Sequence, residues 1–215
     1  MEIGTSAGPA HVELQHPAGP ARFLLALTHG AGGLPGTPDV LAVRDAARAL
    51  GAVTALVTQP YRVRGARAPG SAVKQDAAWA ELIEALKQET SAAGAALPRA
   101  VLPLVQGGRS NGARVVCRTA RLTGAAGVIA LAFPLHPPGQ PGKSREAELR
   151  GAGTSVLVVN GERDPFGVPG PDEATVVVTL AGETHALSKQ PKAVGDAVTA
   201  WLGAVPGLAP ALRGA

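Results

Sequence analysis

Gly107-Gly108-Arg109-Ser110-Asn111-Gly112-Ala113 joins an apolar run to a segment of helical character and sets a serine between glycines. A Gly-x-Ser-x-Gly pattern at a strand-to-helix junction suits a nucleophile held on a sharp, strained turn. Small neighbours let strand and helix close on one another while the hydroxyl projects out of the sheet. The N-terminus of the following helix offers unpaired N–H groups to a developing oxyanion. With seven serines and 28 glycines in 215 residues, chance supplies about 0.1 such patterns before any context is required. A phosphate-binding turn or a plain tight turn would use the same glycines, so the flanking segments must decide.

Working outward, apolar runs of strand length alternate with segments of helical period. Phe23–Thr28, Val53–Thr58, Ala100–Val105, Gly127–Phe133, Ser155–Val159 and Thr175–Leu180 read as buried strands. Helices are predicted from Thr37 or Pro38 to Leu50, Ser71 to Thr90, Asn111 to Arg121, Ser144 to Arg150 and Pro191 to Leu202. Val12–Leu14 reads as an antiparallel edge strand, and the chain after Gly203 as a poorly ordered tail. This alternation predicts an α/β fold: a doubly wound, mostly parallel sheet with helices on both faces. No Pro/Gly stretch is long enough to divide it, so residues 1–215 are expected to form one domain, with an N-terminal arm of about 20 residues and a tail from about 204.

Ligands of such sheets collect beyond the carboxyl ends of the strands. A serine nucleophile there needs a base, and the base an orienting carboxylate. Asp164, in Gly161-Glu162-Arg163-Asp164-Pro165-Phe166-Gly167, follows one strand; Glu162 is the rival carboxylate. His185 follows the last strand and is the sole histidine of the C-terminal third. The order Ser, Asp, His is that of α/β hydrolases and differs from the other two familiar orders. His29-Gly30-Ala31-Gly32-Gly33 follows the first buried strand. Ala31 N–H, with Gly32 as second choice, and Asn111 N–H are the expected oxyanion donors. His29 is read as a structural pin of that loop.

The chain resembles the α/β-hydrolase-like family related to the dienelactone hydrolases, whose eukaryotic relatives include a testis-expressed protein and a chromatin acetyltransferase-complex subunit. Thr28–Gly32, Pro60-Tyr61 with the loop to Pro69, Gly107–Ala113, Phe133–Gly139 and Gly161–Gly167 carry the likeness, which runs from about Arg22 to Leu202. It implies the α/β-hydrolase fold with Ser110, Asp164 and His185 as catalytic triad. Asn111 stands where the family often has Met, and Ala113 where a second glycine is frequent. Dienelactone hydrolases use a cysteine nucleophile, whereas Cys117 lies two helical turns past Ser110 and is read as a packing residue.

Composition narrows the alternatives. A hydrophobic fraction of 46% excludes wholesale disorder, and the single cysteine excludes an internal disulfide or a Cys-rich zinc site. Six aromatics in all are too few for a base-stacking platform, and the basic residues are dispersed, so no nucleic-acid partner is expected. No apolar run reaches the roughly 18 residues of a membrane span, and Met1-Glu2-Ile3-Gly4 is unlike a signal peptide. A cytoplasmic protein without metal or cofactor is expected. Fifteen of the twenty basic residues are Arg; Arg62, Arg64, Arg67, Arg109 and Arg163 follow strands at the predicted site edge. Two roles fit them. Arg62, Arg64 and Arg109, with His136 of the Pro-rich loop, would bind an anionic substrate, or the guanidiniums would brace loops by pairing with Asp and Glu. The expected activity is serine hydrolysis of a small ester or thioester through an acyl-enzyme. The length leaves no room for a large cap, which points to an open, shallow site and short acyl groups. The competing reading is a catalytically silent scaffold of the same fold.

Overall fold

The computed structural model describes residues 1–92 and 102–213. One eight-stranded sheet organises them, in the order β1-β2-β4-β3-β5-β6-β7-β8. Its parallel part comprises β4 (Ala52–Thr58), β3 (Phe23–Thr28), β5 (Leu104–Arg109), β6 (Gly127–Leu131), β7 (Ser155–Gly161) and β8 (Thr175–Leu180). All six residues of β3 are buried because helices cover both of its faces. Leu24 and Ala26 join one core with Trp79, Leu82 and Ile83 of α3 (Ala72–Ala92) and Val115 and Val116 of α4 (Asn111–Thr123). Phe23, Leu25 and Leu27 join the other, with Val40 and Val43 of α1 (Pro38–Ala49) and Val194, Val198 and Leu202 of α6 (Pro191–Ala204).

Five readings change. The third buried strand begins at Leu104, not Ala100, and runs through both glycines to Arg109; Ala100 and Val101 lie outside the described residues. Neighbours fill the space its glycines leave: a Cβ on Gly107 would lie 2.6 Å from Leu27 Cδ2, and one on Gly108 2.4 Å from the Gly112 backbone. Val12–Leu14 belongs to β2 (Gly8–Gln15), which pairs antiparallel with β4 on one side and with β1 (Glu2–Thr5) on the other, so β1 is the edge. A single turn, α2 (Pro60–Val63), interrupts the Arg-bearing loop. The tail folds back: Val205 and Leu208 are buried, and α7 (Ala209–Arg213) follows. The short helix α5 is Glu146–Arg150.

Candidate active site

Ser110 sits between β5 and α4 at φ 53°, ψ −111°, a left-handed value that a side chain adopts only under constraint. Its N–H donates to Leu131 O (2.9 Å), continuing the pairing with β6. The turn closes on two glycines, since a Cβ on Gly112 would lie 2.6 Å from His29 O. The packing that makes residues 108 and 112 glycine therefore also seats α4 against the loop after β3. A Cβ on Gly30 would lie 3.3 Å from Ser110 Cβ, which brings that loop beside the serine.

His185 Nε2 lies 2.9 Å from Ser110 Oγ, and its Nδ1 lies 2.9 Å from Asp164 Oδ2. The Asp164 carboxylate is fully buried. It accepts the Phe166 N–H at Oδ1 (2.9 Å) and a longer contact from Asn160 Nδ2 at Oδ2 (3.4 Å). Phe166 also covers the imidazole, with ring centroids 4.3 Å apart. Glu162, the rival carboxylate, faces the other way and accepts the Gly182 N–H at 3.0 Å. Buried Glu183 accepts the N–H groups of Lys189 and Gln190 at 2.7 Å each, closing the loop that carries His185. Three loops after three different strands thus converge on one hydrogen-bonded line.

The loop after β3 is pinned from below. Gly30 O accepts His29 Nδ1–H (2.8 Å), Gly33 N–H (3.1 Å) and, more distantly, the Tyr61 hydroxyl (3.4 Å). A trans peptide is planar, so fixing the Gly30 carbonyl aims the Ala31 N–H in the opposite direction. The Ala31 carbonyl is held in turn by Tyr61 OH at 2.9 Å. His29 Nε2 accepts the Gln59 N–H (3.0 Å), which assigns the neutral Nδ1–H tautomer, and burial lowers its pKa. On the other side of Ser110, Asn111 opens α4, where an N–H has no acceptor within the helix. Its side-chain amide donates to Gln75 Oε1 of α3 at 2.7 Å.

Of the five site-edge arginines, Arg62, Arg64 and Arg109 are engaged, largely with groups the sequence did not suggest, while Arg67 and Arg163 are exposed. Arg62 donates to the carbonyls of Gly33 (3.1 Å) and Ala66 (3.0 Å), and Arg64 to that of Ala7. Carbonyls, not the expected loop carboxylates, are their partners. Arg109 does find a carboxylate, Asp39 Oδ2 of α1 at 3.0 Å, and also donates to His185 O at 2.7 Å. Burial raises the Asp39 pKa, partly offset by the Arg109 charge. His136 lies over the acid loop: its N–H donates to Phe166 O (3.0 Å), and its ring occupies the place of a side chain at Gly167. Cys117 is fully buried against the sheet, which pushes its thiol pKa well up.

Two contributors have no counterpart in the motif reading. Asn160, buried at the end of β7, bonds both N–H and C=O of Phe133 and the carbonyl of Gly167, tying the acid loop to the loop after β6. A lone amide ending the run Val156-Leu157-Val158-Val159 was the available signal. Asp39 left none, because an acid in a first helical turn is ordinary.

A doubly wound sheet with a strained serine turn at the end of its fifth strand defines an α/β hydrolase, and the chain belongs to that family: an alpha/beta hydrolase domain matches residues 21–180. No curated protein sequence matches it. Among solved structures it is similar to Est1E of Butyrivibrio proteoclasticus bound to ferulic acid (17% identity, 95% of this chain and 98% of that one, TM-score 0.70). It is likewise similar to a dienelactone hydrolase of Anabaena variabilis (16%, 95% and 96%, TM-score 0.72). A serine hydrolase without lid from Xanthomonas campestris superposes at TM-score 0.67 (17%, 96% and 94%).

Proposed function

We propose that this chain is a serine hydrolase of small esters or thioesters working through an acyl-enzyme. The observation that carries this is the unbroken line from Ser110 through His185 to buried Asp164. In this reading His185 Nε2 takes the Ser110 proton as Oγ attacks the carbonyl carbon. Asp164 holds Nδ1–H and stabilises the imidazolium that forms. The N–H groups of Ala31 and Asn111 receive the oxyanion; the Ser110 N–H is already spent on Leu131. Collapse of the tetrahedral intermediate breaks the ester bond, and the leaving alcohol or thiol takes the proton from His185. Water, deprotonated by His185, then releases the acid and restores Ser110.

Arg109 in this reading is a clamp between the strand bearing the nucleophile and the loop bearing the base. Arg62 and His136 bond the backbone of neighbouring loops, which supports the bracing role over the binding of an anionic substrate. The test is labelling by a fluorophosphonate together with hydrolysis of p-nitrophenyl acetate. Labelling is expected in the wild type and not in Ser110→Ala, and Asp164→Asn is expected to lower kcat by about 10⁴-fold. A folded wild type that neither labels nor hydrolyses any ester of a broad panel would favour the scaffold reading.

A further inference from the structure

Between α3 and the segment from Pro60 to Ser71 lies a cavity of about 790 Å³, a size typical of small-molecule sites, roughly 300–1,000 Å³. Val57, Ala78, Trp79 and Leu82 give it an apolar floor. Among the described residues its charged lining groups are Arg64 and Lys74, both exposed, and no carboxylate lines it. At its border Val73 stands 78% exposed, an apolar side chain left in water.

Neither Ser110 nor His185 lines this cavity, yet two residues that do are attached to the site. Tyr61 donates its hydroxyl to Ala31 O, and Gln75 accepts from the Asn111 amide. Two side chains of the cavity wall are thus each bonded to one of the residues assigned an oxyanion donor. A chain extending from a carbonyl seated in that hole toward Tyr61 and Gln75 heads for a mainly apolar space whose two charged groups, Arg64 and Lys74, are exposed.

We propose that the cavity is the acyl pocket of the hydrolase and takes an extended, uncharged apolar acyl chain, entering between Tyr61 and Gln75. The proposal rests on the hydrolase reading and reverses one expectation drawn from chain length, that the site suits short acyl groups. Depth comes from the space between α3 and the loop after β4, with no cap needed.

The test compares p-nitrophenyl acetate with p-nitrophenyl octanoate, and separately titrates octanoate by calorimetry. Burial of six further methylenes is expected to raise kcat/KM at least about 30-fold for the octanoate ester. Ala77 is exposed on α3 at the cavity wall, so Ala77→Trp fills the space without disturbing the core. Ala68→Trp does so from the opposite wall, where Ala68 is also exposed. Each variant is expected to cut octanoate-ester turnover at least tenfold, leave acetate within about twofold, and weaken octanoate binding. Equal kcat/KM for the two esters, or equal slowing of both by each variant, overturns the acyl pocket while leaving the hydrolase reading intact. If neither ester is cleaved and the folded protein neither takes a fluorophosphonate label nor cleaves any ester of the broad panel, the hydrolase reading fails. Octanoate binding that both tryptophans abolish then still upholds the cavity as an apolar-chain site, and its absence overturns it.

Discussion

In the proposed hydrolase Ser110 carries a conflict between stability and chemistry. A φ of 53° with ψ −111° costs a non-glycine residue roughly 1–3 kcal/mol, a cost the surrounding contacts must offset. Ser110→Gly is therefore expected to stabilise the fold by about 1 kcal/mol in urea unfolding while abolishing fluorophosphonate labelling. His29 shows the opposite economy, because every ring atom that can hydrogen bond is used on backbone. Its pKa is lowered by burial, so the unfolded chain binds the proton more readily than the folded one. Its contribution is complete above its ordinary value of 6.5 and is lost as pH falls through the lowered folded value. The slope of unfolding free energy against pH just below 6.5 is expected to flatten in His29→Gln.

At the scale of elements, α3, α4 and α5 are joined by a charge network. Arg114 grips Glu148 with two bonds (2.7 and 2.6 Å), and Arg118 grips Asp76 (2.8 and 2.6 Å) while reaching Glu148 at 3.2 Å. Burial pushes the Glu148 pKa up, but the two guanidiniums together hold it below its ordinary 4.5. This stability is present above the unfolded value and is lost as pH falls through the folded one. Glu148→Gln is expected to cost about 1–2 kcal/mol at pH 7, with the deficit shrinking below pH 4, as read from urea midpoints across pH. These partners sit 30 to 42 residues apart in the chain. Local periodicity places each helix but says nothing of which charges meet.

Across the whole molecule, what was legible in the sequence followed from burial on two faces. Strands such as Phe23–Thr28 must be apolar at every position, so they stand out as runs, and the loops that follow them bring Ser110, Asp164 and His185 to one edge. Features that depend on a distant partner were hidden. β1 has Ile3 as its one buried residue, and β5 continues through glycines whose side-chain space is taken by the Leu27 side chain and the Gly112 backbone. The arginines could be placed near the site, yet their bonds to carbonyls of Gly33, Ala7 and His185 depend on backbone that no residue type encodes. The C-terminal tail was misread for a related reason: Val205 and Leu208 are isolated apolar residues in a Pro/Gly-rich stretch, and only the fold shows them fully covered. Truncation after Gly203 is accordingly expected to cost about 3–5 kcal/mol, measurable as a lowered denaturation midpoint.

The interior position of Cys117 has a practical corollary. With its sulfur buried and its thiolate disfavoured, the native chain is expected to resist alkylating reagents. Any cysteine installed on the surface becomes a unique chemical address. One placed at Ala77 or Ala68 would report, by its rate of modification with and without octanoate, when the mouth of the cavity is occupied.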